Sequence, residues 1–254
     1  MKAILKSVIS LIILISVSAT VSAQKSLSAE EIVKKSNEQM QGNSSQGMTS
    51  MKIVRPTWER EIIFKNWAKG HDYSMTYVIS PAKEKGQAFL KRRNEMWSWN
   101  PTISRSIKLP SSMMSQSWMG SDYTNEDILK ESSIVTDYIP TLMGEEKVND
   151  RDCYIIRLKA RPASAVIWDT MLKWIAKSSF LQLRTQYFDE DGTLMRTDNS
   201  SQIKYMDDRE IPTITEVVPN DKEGYKTIIT IMEIKYNVSL NDNMFSIQNL
   251  KNIR

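Results

Sequence analysis

The chain has 254 residues, of which 41% are hydrophobic and 25% are charged, a composition typical of one globular domain or two at most. Its formal charge of +4 excludes the strongly basic surface by which proteins bind nucleic acid or an anionic membrane. A chain of this length buries a hydrophobic core without the help of disulfides or metal ions.

The N-terminal residues have the pattern of a secretory signal peptide. Lys2 and Lys6 precede an apolar run over 8–17, and small residues follow as far as Ala23. About ten apolar residues are too few to span a bilayer core of about 30 Å. We therefore expect cleavage between Ala23 and Gln24 and a mature protein in the periplasm without a transmembrane span. The predicted division of the chain is a signal peptide over 1–23 and a single domain over 24–254.

Residues that could carry catalytic chemistry are scarce. The single histidine, His71, follows Gly70 at an expected turn, and no G-x-S-x-G motif accompanies it. The single cysteine, Cys153, lies in an alternating run, which favours a buried structural thiol over a nucleophile. One histidine and one cysteine cannot build a usual zinc site, and Asp191 with Gly192 fits a hairpin turn better than a calcium loop. We therefore predict a protein that is not an enzyme and has no catalytic residue, cofactor or metal ion.

One amphipathic helix is predicted near the start of the mature chain. In "SLSAEEIVKKSNEQMQG", Ser28 and Glu31 form a capping box, and Ile32 and Val33 belong to the apolar side. Gly42 ends the pattern, as glycine commonly does after the last helical turn.

Period-two runs follow one another after this helix, separated by turn residues. They include "EIIFKNWAKG", "HDYSMTYVISP", "NEMWSWNP", "VIWDTMLKWIAK", "FLQLRTQYFDE" and "GYKTIITIMEIKYNV". Trp97 and Trp99 share one side of their strand, and Trp168, Leu172 and Trp174 share one side of theirs. The connections are too short for crossover helices, so neighbouring strands are antiparallel. The sequence predicts about ten or eleven strands in one large, strongly curved sheet.

The stretch "PSSMMSQSWMGSDYTNEDILKESS" from Pro110 loses this alternation. A helix face is predicted for Met114 and Trp118, which are four residues apart, with a break at Gly120. Thr124 with Asp127 can begin a second short helix. Two interpretations remain open. The methionine-rich side is either a plug that completes the core, or a surface that repacks around varied apolar partners.

Several segments closely resemble one protein family. They are "KIVRPTWERE", "SPAKEKGQAFLKR", "NEMWSWNPTISRSIKLPSSMMSQSWMGSDYTNEDILKESSI", "IPTITEVVP" and "MFSIQNLKNIR". The chain resembles the outer-membrane lipoprotein-sorting proteins of the LolA/LolB-like superfamily, in the branch with M-W-x-W and S-W-M-G-S-D motifs. The resemblance implies an unclosed antiparallel β-barrel whose concave side is covered by helices around a cavity for acyl chains. Some relatives are encoded beside large exporters, so an inner-membrane exporter is the partner that the resemblance implies.

The function that the resemblance implies is a periplasmic carrier of lipid or lipoprotein acyl chains. An empty apolar trough needs a removable cover in water, and the methionine-rich stretch is the expected lid. We expect Gly120 to act as a hinge. The expected lid residues are Met113, Met114, Trp118 and Met119. The expected cavity residues are Trp97, Trp99, Trp168, Leu172 and Trp174. The alternatives are an interaction subunit of an envelope or exporter assembly without lipid cargo, and an envelope hydrolase.

Overall fold

The computed structural model describes residues 27–130, 134–162, 164 and 166–253. The predicted signal peptide and its cleavage site lie outside these residues. Among the described residues, no helix is long and apolar enough to cross a membrane.

One antiparallel sheet contains all thirteen strands of the described residues. The strands are β1 (Ser44–Arg55), β2 (Trp58–Lys69), β3 (Tyr73–Ser80), β4 (Ala88–Arg92), β5 (Glu95–Asn100), β6 (Arg105–Lys108), β7 (Tyr138–Val148), β8 (Arg151–Ala160), β9 (Thr170–Ala176), β10 (Gln182–Phe188), β11 (Leu194–Met206), β12 (Arg209–Pro219) and β13 (Lys226–Tyr236). The α-helices are α1 (Ala29–Gln41), α2 (Asn125–Lys130), α3 (Ile134–Asp137) and α4 (Ile247–Leu250). The mainly β, open architecture predicted from the sequence is confirmed.

The sheet consists of two meanders joined by one long-range pairing. Its spatial order is β6, β5, β4, β3, β2, β1, β13, β12, β11, β10, β9, β8, β7. Every neighbouring pair except β1 with β13 is consecutive in the chain, so short hairpins make nearly all connections. The sheet does not close, because β6 and β7 lie at opposite edges.

Contacts between distant strands show that the sheet is strongly curved. A flat sheet would hold β8 and β12 about 19 Å apart, since neighbouring strands are about 4.8 Å apart. Arg151 of β8 nevertheless lies 3.1 Å from Glu210 of β12, measured between Nη1 and Oε2. Asn149, in the β7–β8 turn, also donates from Nδ2 to the Ser200 carbonyl of β11 at 3.2 Å.

Helix α1 forms where its sequence signals place it. The Ser28 hydroxyl accepts from the Glu31 amide at 3.2 Å, and the Glu31 carboxylate accepts from the Ser28 amide at 2.7 Å. The predicted capping box is thus confirmed, and Gly42 ends the helix at a φ of 62°. Ile32 and Val33 are buried against strands β7, β8 and β9.

Other local predictions are also confirmed. The Asp191 and Gly192 pair forms the turn between β10 and β11, where Gly192 has a φ of 77°. His71 lies in a turn, and Cys153 is fully buried on β8. Burial raises the pKa of the Cys153 thiol, which makes the reactive thiolate less available.

Candidate functional site

Strand register divides the side chains of the sheet between two faces, because directly opposed residues point to the same side. Met51 of β1 lies opposite Ile62 of β2 and Ile229 of β13. We call the face that carries these three residues the inner face, and the other the outer face. One row of the inner face runs through Ile156, Lys173, Thr185, Asp198, Val217, Thr227 and Ile53.

Two elements cover the inner face. Helix α1 packs on its β7 to β9 side, where Ile156 and Ile175 belong to the same buried cluster as Ile32. The segment over 109–130, which we call the cover segment, packs on its β1 to β5 side. The cluster beneath the cover segment consists of Met51, Ile53, Ile62, Phe64, Val78 and Met96.

The cover segment is not the α-helix that the spacing of Met114 and Trp118 predicts. It contains two single 3-10 turns, Ser111–Met113 and Trp118–Gly120, before α2 begins. Met119 has a φ of 52° and Gly120 a φ of 77°, so two successive residues are in the left-handed region. The helix prediction is therefore wrong for this part. It is confirmed for α2, because Thr124 and Asp127 form the capping hydrogen bonds at 2.8–3.1 Å.

Trp118 is the apolar centre of the cover segment. Its side chain is buried, and its ring meets those of Phe64 and Phe89 edge to face, with centroids 5.8 and 5.4 Å apart. Met114 and Met119 pack around the same cluster, half-buried. Met113 points away and is 38% exposed. The inner face below is thus filled by the chain's own side chains.

Arg55, at the end of β1, holds the middle of the cover segment. Its Nη1 lies 3.0 Å from Asp122 Oδ2, and its Nη2 donates to the Gly120 carbonyl at 2.9 Å. The hydroxyl of Thr227 also donates to Asp122 Oδ2 at 2.7 Å. Both charged side chains are buried, so the loss of either one would leave an unpaired buried charge and strongly destabilise the protein.

Arg60 of β2 holds the neighbouring residue. Its Nη2 donates to the Met119 carbonyl, and its Nη1 donates to Glu84 Oε1 at 2.7 Å. Because these arginines bind carbonyls at Met119 and Gly120, they stabilise the left-handed backbone that replaces a helix there.

Arg196 of β11 anchors the start of α2. Its Nη1 donates to Asp127 Oδ2 at 2.6 Å, and its Nε lies 3.0 Å from Asp198 Oδ1. The Tyr187 ring lies 3.9 Å from the guanidinium carbon, and Trp168 donates from Nε1 to Asp127 Oδ1 at 2.8 Å. Trp168 therefore lies on the inner side, where it supports the anchor of the cover segment.

Two carboxylates share the single guanidinium of this Arg196 cluster, and burial governs their ionisation. Burial raises the pKa of Asp198 above its ordinary value of 3.8, although Arg196 opposes this effect. Burial also raises the pKa of Tyr187 well above its ordinary value, with the charge of Asp198 adding to it. Burial favours the neutral form of Arg196. The negative charge of Asp198 nevertheless helps to hold the pKa of Arg196 well above its ordinary range.

The predicted cavity residues divide between the two faces. Register places Trp174 in an outer-face row with Arg184, Asn199, Glu216, Ile228 and Lys52. Leu172 alternates with Trp174 and shares that face. Trp97 and Trp99 also lie on the outer face, in a cluster with Phe245 from the C-terminal segment, residues 240–253. These four residues do not line the space beneath the cover segment, and their contact with acyl chains stays a prediction.

The spacing of the tryptophans shows that they share a face but not which face. Here both faces of the sheet carry apolar clusters, which removes the usual distinction between a core side and a solvent side. Sequence reasoning also missed Arg55, Arg60 and Arg196. One signal in the sequence could have identified such residues, namely a charged residue at a position where strand alternation predicts a buried apolar one. Arg55, which follows Met51 and Ile53 at alternate positions, is an example.

The cover segment buries apolar surface of the sheet. Two surface pockets of about 350 Å³ each lie elsewhere, one beside α1 at Lys35 and Arg209 and one beside the β7–β8 turn at Asn149, and neither is lined by the cover segment. Among the described residues, no three His, Cys, Asp or Glu side chains are grouped as a metal site would require.

Solved structures share this fold across nearly their whole length. A DUF1329 family protein from Desulfovibrio piger is 25% identical with a TM-score of 0.80, over 87% of this chain and 97% of that one. A LolA superfamily protein from Nitrosomonas europaea is 24% identical with a TM-score of 0.75, over 88% and 99%. A protein described as an outer membrane lipoprotein-sorting protein domain, from Vibrio parahaemolyticus, is 20% identical with a TM-score of 0.78, over 88% and 98%.

A family model covers most of the chain. It is described as an uncharacterized protein family and matches residues 70–252, which include the cover segment and the Arg196 cluster. No curated protein matches significantly. The chain belongs to this family, and it has a LolA-like fold.

Proposed function

We propose that the protein is a periplasmic carrier that binds the acyl chains of a lipid or lipoprotein on the inner face and shuttles them to or from the outer membrane. The observation that carries this proposal is the contact between Trp118 and the apolar inner face. The cover segment fills with its own side chains the space that acyl chains would occupy, as a removable lid must do in water.

The contacts of the cover segment support the proposal that it moves as a lid. Trp118 Nε1 is buried without a hydrogen-bond partner among the described residues, so it would gain water on opening. The remaining anchors are discrete polar contacts to Arg55, Arg60 and Arg196. Gly120, with its left-handed backbone, is the proposed hinge. An inner-membrane exporter is the proposed partner, as the family resemblance implies.

Lipid that copurifies with the protein would test the carrier function directly. Native mass spectrometry of protein purified from the periplasm should show bound lipid, and a fluorescent lipid should transfer into the delipidated protein. An interaction subunit without cargo would show neither. The absence of both would overturn the proposed function.

Charges on the apolar side of the cover segment should abolish lipid uptake. Met114→Glu with Trp118→Glu should leave the sheet folded but abolish lipid uptake, because carboxylates cannot be sealed against the apolar inner face without partners. Far-UV circular dichroism and a fluorescent-lipid assay measure the two properties. Ser112→Glu with Ser115→Glu is the matched control, since it adds the same charge on the exposed side and should keep uptake.

The same variant tests whether the cover segment is permanent core. In that case, losses of about 3 to 5 kcal/mol for each residue would unfold a protein whose total stability is about 5 to 15 kcal/mol. Collapse of the β signal would therefore contradict the lid, and so would a folded variant with undiminished lipid uptake.

A further inference from the structure

The three arginines that hold the cover segment differ in the partners they would keep if it moved away. Arg60 would keep Glu84, at 2.7 Å, from the β3–β4 connection. Arg196 would keep Asp198, at 3.0 Å, on its own strand. Among the described residues, Arg55 would keep as hydrogen-bond acceptors the backbone carbonyls of Val54 and Lys226.

Arg55 thus depends on the cover segment for its negative partner. Among the described residues, the carboxylate in contact with Arg55 is that of Asp122. The side chains of Arg55 and Asp122 are only 8% and 6% exposed. A buried guanidinium that loses its carboxylate is strongly unfavourable, so opening requires another anion at this point.

The surroundings of Arg55 remain in place when the cover segment leaves. Thr227 belongs to β13, and its hydroxyl would be released from Asp122 to donate to a new acceptor. The Tyr225 ring, just before β13, lies 4.7 Å from the guanidinium carbon of Arg55 and holds its plane. The sheet therefore presents a preformed pair of donors, a guanidinium and a hydroxyl.

Arg55 also stands beside the apolar surface that acyl chains would use. It occupies the next inner-face position of β1 after Ile53, which lies in the cluster beneath Trp118. Inner-face neighbours on one strand are about 7 Å apart. An amphiphile could therefore place its chain on the cluster and its polar head at Arg55.

We propose that Arg55 and Thr227 form a subsite for the anionic head group of an amphiphilic cargo, which takes the place of the Asp122 carboxylate on opening. This proposal rests on the carrier function proposed above. The cargo class is a lipid whose head bears a phosphate or carboxylate, since both match the paired donors of a guanidinium. Asp122 acts as the internal substitute for that head group in the closed protein.

A pair of variants isolates the contribution of Arg55. Asp122→Asn removes the competing carboxylate and keeps Arg55, whereas Arg55→Gln with Asp122→Asn removes both charges and leaves no unpaired buried ion. Both variants carry the same change in the cover segment. A difference between them therefore reports on Arg55 alone, and circular dichroism confirms that each is folded.

Displacement of a neutral apolar reporter, N-phenylnaphthylamine, measures the binding of dodecyl phosphate and of dodecanol, its neutral analogue. The wild type and Asp122→Asn should bind the phosphate roughly tenfold more tightly than the alcohol, the effect of one charge-assisted hydrogen-bonded contact. The double variant should bind both equally. Lys52→Gln, which removes a charge from the outer face of the same strand, should retain the preference.

Other outcomes separate this proposal from the carrier function. Equal binding of phosphate and alcohol by Asp122→Asn would overturn the head-group subsite and leave the carrier intact. If inorganic phosphate at matched concentration removed the advantage of dodecyl phosphate, the site would select a free anion and the amphiphile assignment would fail. If neither amphiphile displaced the reporter, the carrier function itself would fail.

Discussion

Asp198 shows how a single buried residue can make the site sensitive to pH. Its carboxylate faces Arg196, and it accepts a hydrogen bond from the Tyr187 hydroxyl at 3.0 Å. Asp127 places a second carboxylate on the same guanidinium. The cluster therefore contains one more acid than base, and burial makes the protonated form of Asp198 more favourable than it is in water.

Asp198→Asn should change how stability depends on pH. Because the pKa of Asp198 is higher in the folded protein than its ordinary 3.8, the folded state binds more protons between the two values. The contribution of Asp198 to the free energy of unfolding should fall as pH rises through that window, by about 1.4 kcal/mol for each tenfold difference in proton affinity. Urea unfolding of both proteins across pH values would measure it.

The exposed Asp208 provides a control of opposite sign. A hydrogen bond from Arg209 lowers the pKa of Asp208. The small contribution of Asp208 to the free energy of unfolding should therefore be present above pH 3.8 and be lost as pH falls. If Asp198→Asn and the wild type showed parallel pH profiles, the pKa of Asp198 would not be raised by burial.

The C-terminal segment completes the outer face much as the cover segment completes the inner one. Phe245 is buried, and its ring centroid lies 5.7 Å from that of Tyr73. Leu250 and Ile253 join the same cluster, beside Trp97 and Trp99. The tryptophans of β5 are therefore held by the C-terminal segment.

A substitution of Phe245 tests whether the outer face contributes to stability without contributing to lipid uptake. Phe245→Ala should lower the free energy of unfolding by about 3 to 5 kcal/mol, because it leaves a cavity in a well-packed cluster. Lipid uptake by the folded protein should persist, since the change lies on the outer face. Gln248→Ala, at an exposed position of α4, should stay within about 0.5 kcal/mol of the wild type. Urea unfolding and lipid binding would check both effects, and a loss of uptake in folded Phe245→Ala would contradict the separation of faces.

Elements with local signals could be predicted from the sequence, and elements fixed by distant partners could not. The capping box at Ser28 and the turn at Gly192 are determined within a few residues, so their patterns were sufficient. Strand β6 (Arg105–Lys108) is exposed along its length and has no apolar alternation, which accounts for one of the two or three strands by which the predicted ten or eleven fall short of thirteen.

The conformation of the cover segment could not be predicted because residues distant in the chain determine it. The carbonyls of Met119 and Gly120 are bound by Arg60 and Arg55, which are about 60 residues away in the chain. Such contacts replace helical hydrogen bonds, and helical spacing between Met114 and Trp118 cannot reveal them. The methionine and tryptophan content did indicate an apolar contact, but its partner surface could only come from the fold.

At the scale of the whole molecule, the anchors of the cover segment join both meanders of the sheet. Arg55 and Arg60 come from β1 and β2, whereas Arg196 comes from β11, beyond the pairing of β1 with β13. The cover segment therefore bridges the seam between the two meanders. The proposed opening would require anchors on both sides to break, so the motion would be cooperative.

Weakening one anchor should accelerate cargo uptake if opening of the cover segment limits the rate. Asp127→Asn weakens the contact with Arg196 together with the Thr124 cap of α2, while Arg196 keeps Asp198 and the asparagine oxygen can still accept from Trp168. In stopped-flow fluorescence, the rate of N-phenylnaphthylamine uptake should reach a plateau at high reporter concentration, the plateau being the opening rate. Asp127→Asn should raise it roughly tenfold, since a hydrogen bond to a charged group contributes about 1.5 kcal/mol or more. Glu59→Gln, which breaks only the exposed pair with Lys52, should leave the plateau unchanged. A rate that rose linearly without a plateau, or a plateau unaffected by Asp127→Asn, would show that the Arg196 anchor does not control entry to the inner face.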